Sequence, residues 1–308
     1  MGDIFDIRGV KPMLIGVSKS EAFDSDDYIY EVKFDGIRAL AYLDKDNVDI
    51  RNKRNKKVDI IYPELGKINL QAKEKCIIDG EVVILVNGNP DFEKIQRRSL
   101  MTNAFRIQLA AKQYPVSFVA YDIIYYRNKE INHLPLMERK KILEDVLIPN
   151  DSIAISKYIS GIGKPLFDLT VENDLEGIVA KLKDSKYIYG KETNSWIKIK
   201  NLQDAEFYIC GYDKTDTPKT SLTLGEFVDG HYNFIGHVDL YKSNNAYKIV
   251  SATQAVNKNK YYINFPDFNN RDTVWIIPDK MCTVKFMNRT KNGGFRQPGF
   301  KSLYYKDA

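Results

Sequence analysis

Apolar and polar residues alternate with a period of two along Asp27–Phe34, which predicts a strand with Tyr30, Val32 and Phe34 on one face and Glu31, Lys33 and Asp35 toward the other. Further strands are predicted at Ala39–Leu43, Cys76–Val86, Val116–Tyr126, Gly177–Lys181 and Ser195–Lys200, most of them rich in Val, Ile and Tyr. Apolar residues recur at three and four in Pro90–Ala111, Leu136–Val146 and Lys164–Asn173, the spacing of amphipathic helices. Pro90 suits a first helical position, where its missing N–H costs nothing. Short links at residues 44–47 and 87–89 indicate antiparallel hairpins, so the first two-thirds of the chain reads as α+β.

After Gln203 short strands dominate: Glu206–Tyr212, Leu222–Val228, Tyr232–Leu240, Asp272–Ile277 and Met281–Asn288. Asp229-Gly230 forms a tight turn between two of them, and one helical stretch, Asn244–Asn257, interrupts the set. Five short strands with one inserted helix is the pattern of an OB-type β-barrel. The boundary is expected near Lys200–Asp204, giving domains at 1–202 and 203–308.

Composition narrows the class. The 308 residues are 44% hydrophobic and 28% charged, ordinary for a soluble globular protein with room for two cores. The net charge of +5 permits an anionic partner without requiring one, and the basic residues concentrate in Arg51-Asn-Lys-Arg-Asn-Lys-Lys57, with Arg97-Arg98 as a lesser group. Cys76, Cys210 and Cys282 lack metal or disulfide spacing, and the three histidines are scattered. With no membrane-length apolar run and no signal pattern, an intracellular protein without a membrane partner is expected.

The chemistry-bearing residues form an ordered series. Lys33-Phe-Asp-Gly-Ile-Arg38 puts a lysine, a carboxylate, a turn-forming glycine and a fixed cation together. Cys76-Ile-Ile-Asp-Gly-Glu81 places Asp79 and Glu81 on one strand face, although a polar bend at a strand end would look the same. Tyr121-Asp122 interrupts an apolar strand, and Glu176-Gly177 precedes another. In Ser195-Trp-Ile-Lys-Ile-Lys200, Ile197 and Ile199 point to a core, leaving Trp196, Lys198 and Lys200 on the other face. Two ammonium groups on one face repel unless an anion lies between them.

This order strongly resembles the covalent nucleotidyltransferases, specifically ATP-dependent DNA ligases, and within them the ligase module of bacterial end-joining ligase D. The likeness spans almost the whole chain, from Pro12-Met13-Leu14 to the segment 293–303. The resemblance implies an adenylation domain followed by an OB domain, with ATP and Mg²⁺ or Mn²⁺ as cofactors. Lys33 would attack the α-phosphate of ATP and carry AMP as a phosphoramidate. A free lysine titrates at about 10.4, so it must first lose a proton, which nearby cations favour. Lys198 and Lys200 would hold the α-phosphate, and Glu176 and Asp35 a metal ion. Arg38 and Glu81 would hold the ribose, Tyr121 would stack on adenine, and Glu31 would lie at the adenine edge. Arg51, with Lys53 and Arg54, would grip the 5′-phosphate of nicked double-stranded DNA. A monomer is implied, and a Ku-like end-binding partner is hinted at.

One element departs from the family pattern. Where an Arg-x-Asp-Lys element is usual, the chain reads Leu303-Tyr-Tyr-Lys-Asp-Ala308, with Tyr304 in the arginine's place. A tyrosine supplies no bidentate cation. Arg296, Lys301 or Lys306 could replace it, or self-adenylation could be slow. Two enzyme alternatives stay open, an mRNA-capping guanylyltransferase and an RNA ligase. The third alternative is a DNA-end-binding module impaired in self-adenylation.

Overall fold

The computed structural model describes residues 2–262, 264–267, 270–290 and 293–305. The backbone divides into two compact units, Met1–Asn201 and Leu202–Ala308. In chain order the first unit carries α1 (Ile4–Ile7), β1 (Leu14–Lys19), β2 (Ser25–Val32), β3 (Ile37–Leu43), β4 (Val48–Asn52), β5 (Cys76–Val83), β6 (Leu85–Val86) and β7 (Asn89–Pro90). There follow α2 (Phe92–Ser99), α3 (Ala104–Gln113), β8 (Ser117–Tyr126), β9 (Lys129–Glu130), α4 (Leu136–Val146), β10 (Ile153–Ile155), β11 (Tyr158–Gly161), α5 (Lys164–Glu172), β12 (Gly177–Leu182) and β13 (Glu192–Lys200).

Two large sheets, beside the two-stranded β6–β7 ribbon, build the described residues of this unit. One has the order β1-β13-β12-β2-β11, the other β10-β8-β5-β3-β4. Pairing is antiparallel except at one edge of each, where β1 runs parallel to β13 and β10 parallel to β8. Ile29, Val179 and Trp196 from the first sheet share a buried cluster with Leu40, Tyr42, Ile77 and Ile124 from the second, so these faces pack together. The outer face of the first sheet buries Tyr30, Ile178, Ala180, Ile197 and Ile199, with Leu166 and Phe167 of α5 against them. The outer face of the second buries Ala39, Ala41, Ile78 and Val82 with Ile95 of α2 and Leu143 of α4.

Several predicted elements are cut differently. The strand predicted to Phe34 ends at Val32, so Lys33 is the first residue beyond it. The single helix predicted over 90–111 is two helices, because the Asn103 side chain accepts from Arg106 N–H and starts α3 afresh. Pro90 lies in a two-residue ribbon opposite Leu85, and Asp91 caps α2 by accepting from Lys94 N–H. Arg98 is no surface cation; it is 2% exposed and tied to Glu64 and two backbone carbonyls.

The second unit contains β14 (Gln203–Asp213), β15 (Lys219–Val228), β16 (His231–Tyr241), α6 (Asn245–Ser251), α7 (Lys258–Tyr261), β17 (Thr273–Trp275), β18 (Lys280–Phe286) and β19 (Gly299–Tyr305). The strands form one antiparallel sheet of order β16-β15-β14-β18-β19, with β17 also on β14. Among the described residues no ladder joins β16 to β19, so a closed barrel is not seen. The predicted helix 244–257 is shorter, capped by Asn244 and ending at Ser251. Sequence periodicity missed β1, β4, β10, β11 and β19 among others.

Candidate active site

The register across the first sheet sets the geometry. Glu31 lies opposite Val179, which lies opposite Lys198; Gly177 lies opposite Lys200. Just beyond β2, the Lys33 N–H donates to Gly177 C=O at 2.8 Å. Residues in one row across a pleated sheet share a face, so Glu31, Lys198 and Lys200 sit on the face turned toward the second sheet, with Lys33 at its rim. Gly177 is required here: its φ is +127°, and an added Cβ would stand 2.1 Å from the Ile199 carbonyl. Gly36 is required by closeness instead, since its Cβ would lie 2.3 Å from the Val82 carbonyl, where β3 begins beside β5.

Lys33 and Glu176 meet directly. Nζ of Lys33 donates to Oε2 of Glu176 at 2.7 Å; the glutamate side chain is 4% exposed and the lysine's 22%. From the second sheet, Arg38 stands opposite Glu81 on β3 and β5. Arg38 forks onto Asp79, with Nε to Oδ1 at 3.1 Å and Nη2 to Oδ2 at 2.6 Å. Burial pushes Glu81 up to about 8; Lys33 and Arg38 counter this, while the charges of Asp79 and Glu176 add to it.

Behind these groups is a shell whose Tyr187, Arg139, Lys140 and Lys181 no sequence motif marked. Tyr187, fully buried, donates to Asp79 Oδ2 at 2.7 Å and accepts from Met13 N–H at 3.1 Å. Burial raises its pKa well above the phenol's ordinary value, so it remains a donor. Asp122 and Arg139, both without exposed surface, form a second fork with two contacts of 2.8 Å. Glu31, expected at the adenine edge, is 2% exposed and gripped by Lys140 and by Lys181, the latter at 3.1 Å. Burial alone would raise Glu31, but the two ammonium groups outweigh it and hold its pKa below the ordinary value. Burial pulls Lys181 down to about 8, with Glu31 opposing and Lys140 adding.

Lys181 lies 4.5 Å from the centre of the Tyr121 ring and 4.2 Å from that of Trp196, and the two rings meet edge to face. Trp196 does share the face of Lys198 and Lys200, but it is 1% exposed and belongs to the core between the sheets. Lys198, Lys200, Tyr121 and Asp35 are half-buried. The structure thus gathers Lys33, Arg38, Glu81, Glu176, Tyr121 and Glu31 at one end of the space between the sheets.

Such a cluster, with one lysine on a carboxylate and aromatic rings beside it, suits an anionic substrate that carries a flat ring. The model of the ATP dependent DNA ligase domain matches residues 12–200. The chain belongs to the ATP-dependent DNA ligases. It is 29% identical over 95% of its length to the SPbeta prophage-derived DNA ligase-like protein LigB of Bacillus subtilis, covering 98% of that protein. It is 25% identical to the multifunctional end-joining DNA repair protein LigD of Mycobacterium tuberculosis, covering 97% of this chain and 39% of that one. The fold is similar to that of mycobacterial DNA ligase D complexed with ATP and MES, with a TM-score of 0.58 and 23% identity over 97% of the chain.

Away from this cluster, Arg51 forks onto Asp49 at 2.8 and 3.1 Å, and Lys53 and Arg54 are exposed on the following turn. In the second unit, Tyr304 lies opposite Met281. Lys301 pairs with Asp204, and Lys306 and Asp307 fall outside the described residues. No helix of the described residues is long and apolar enough to cross a membrane.

Proposed function

We propose that this ligase seals nicks in duplex DNA through AMP carried on Lys33. The Lys33–Glu176 contact, at the rim of a pocket lined by Arg38, Glu81 and Tyr121, is the observation that supports this most. Glu176 gives the lysine's proton an acceptor at hydrogen-bond distance, which the attacking amine needs. The amine would attack the α-phosphate and expel pyrophosphate. Lys198 and Lys200, two rows apart on one face of β13, would bear the charge spread over the phosphate. Arg38, fixed by Asp79, and Glu81 would hold the ribose, and Tyr121 would stack on adenine. Glu31 would act at that end through Lys181, whose ammonium it anchors, because its own oxygens are occupied.

Among the described residues no group of three or more His, Cys, Asp and Glu is gathered for a metal. Mg²⁺ usually takes one or two carboxylates and completes its shell with substrate phosphates and water. Glu176, a nearly buried carboxylate already holding the Lys33 ammonium, fits that donor set. Glu176, with Asp35 on the adjoining loop, would hold Mg²⁺ or Mn²⁺, which supplies neutralisation of the triphosphate.

Nicked duplex DNA is the partner read from the family, with Arg51, Lys53 and Arg54 on the 5′-phosphate. The second unit is read as an OB-type domain from its strand order and inserted helix, with the first as the adenylation domain. A role in end joining, cooperation with a Ku-like protein, a monomeric state and a place at the nucleoid follow the LigD likeness.

Intact-mass measurement with ATP and magnesium tests the reading, alongside nick sealing on a gel. The wild type should gain one AMP and seal; Lys33→Ala should do neither. A wild type that gains no mass would overturn it, and labelling by GTP alone would favour a capping enzyme.

A further inference from the structure

In the second unit, the tip of the β15–β16 hairpin and helix α7 enclose a cavity of about 370 Å³. Phe227, His231, Tyr232, Lys260, Tyr261 and Asn264 line it. That volume falls within the ~300–1,000 Å³ of small-ligand sites. Phe227 keeps 46% of its surface in solvent, although it is large and apolar. Its ring centre lies 4.8 Å from that of Tyr232, which is braced edge-on by Tyr208 and Tyr262. Lys260 stands 5.2 Å over the Tyr261 ring. Both residues of the Asp229–Gly230 turn have positive φ, 52° and 81°, the tight hairpin geometry that fixes this rim.

We propose that the cavity holds an unpaired base of a DNA strand, stacked on Phe227, with the neighbouring phosphate on Lys260. This rests on the reading of the chain as a DNA ligase. Every base has a π face and every nucleotide a phosphate, so aromatic rings beside a cation bind single strands with little sequence preference. In a paired duplex those faces are hidden inside the stack. The site therefore selects overhangs, flaps or frayed ends, and its lining comes from the second unit alone.

Fluorescence anisotropy of labelled oligothymidylate on the full chain tests this, beside a nicked, fully paired duplex. The double variant F227A/K260A should bind the single strand roughly tenfold or more weakly, while its affinity for the duplex and its nick sealing change less than about twofold. In a second measurement, 2-aminopurine in the strand should be quenched by the wild type and not by Phe227→Ala. Unchanged strand affinity with unchanged quenching would overturn the proposal. So would equal losses on strand and duplex, or displacement of the strand by AMP at equal concentration, which would make this a mononucleotide site. If the wild type fails to seal nicks but the strand-specific loss appears, the ligase reading fails and the stacking site stands.

Discussion

Tyr187 donates its hydroxyl hydrogen to Asp79 at 2.7 Å, and so joins the segment beginning at Met13 to the guanidinium of Arg38. Neither Tyr187 nor Asp79 has appreciable exposed surface, and a hydrogen bond to a buried carboxylate contributes about 1.5–3 kcal/mol. Tyr187→Phe should keep the fold and let Arg38 swing. The expected result is a several-fold rise in KM for ATP during self-adenylation, with sealing by pre-adenylated enzyme unchanged. Equal losses in both assays would reduce Tyr187 to a packing residue.

Glu81 makes stability depend on pH. Its pKa is pushed up to about 8 from 4.5, so between these values the folded chain holds a proton that the unfolded chain releases. Stability from this group is full below about 4.5 and is lost as pH rises through 8. Without nucleotide, the Tm of the wild type should therefore fall from pH 5 to pH 8.5 more steeply than that of Glu81→Gln. Parallel slopes would show that the carboxyl is ionised throughout.

Lys140 is 1% exposed and paired with Glu31. Removing one member of a buried pair typically costs about 3–5 kcal/mol. Lys181 remains to share the carboxylate, so Lys140→Met should lie near the lower end, about 3 kcal/mol by urea unfolding. A loss below about 1 kcal/mol would mean that water reaches the site.

Salt dependence separates the three cations proposed for the 5′-phosphate. Lys53 and Arg54 are exposed, whereas Arg51 already carries Asp49. The double change Lys53→Ala with Arg54→Ala should lower the slope of log K against log salt by about 2 on nicked duplex. Arg51→Ala should lower it by less than one. An unchanged slope in the double variant would remove this turn from the DNA footprint.

The motifs were legible because each joins a charge to a glycine or aromatic at fixed spacing, as in Lys33-Phe-Asp-Gly36 and Glu176-Gly177. The supporting shell was not. Lys140 sits in Glu138-Arg-Lys-Lys141, which reads as a solvated run. Only the helical phase betrays it, since Leu136, Arg139, Lys140, Leu143 and Val146 fall on one buried stripe. Tyr187 carried no local signal at all; its partner Asp79 is 108 residues away. Lys33 was placed on a strand because alternation cannot register where a ladder stops. In the second unit the strands were readable from composition and turns, but β19 pairs across a long connection that periodicity does not see.

β1 lies at the edge of its sheet, running parallel to β13 with Ser18 opposite Lys198 and Lys19 opposite Ile199. Deleting the residues before Ser20 would therefore strip one whole side of the strand that bears both lysines, leaving its amides and carbonyls open to pair with another molecule. A shortened chain of this kind should lose solubility before it loses any chemical group of the pocket.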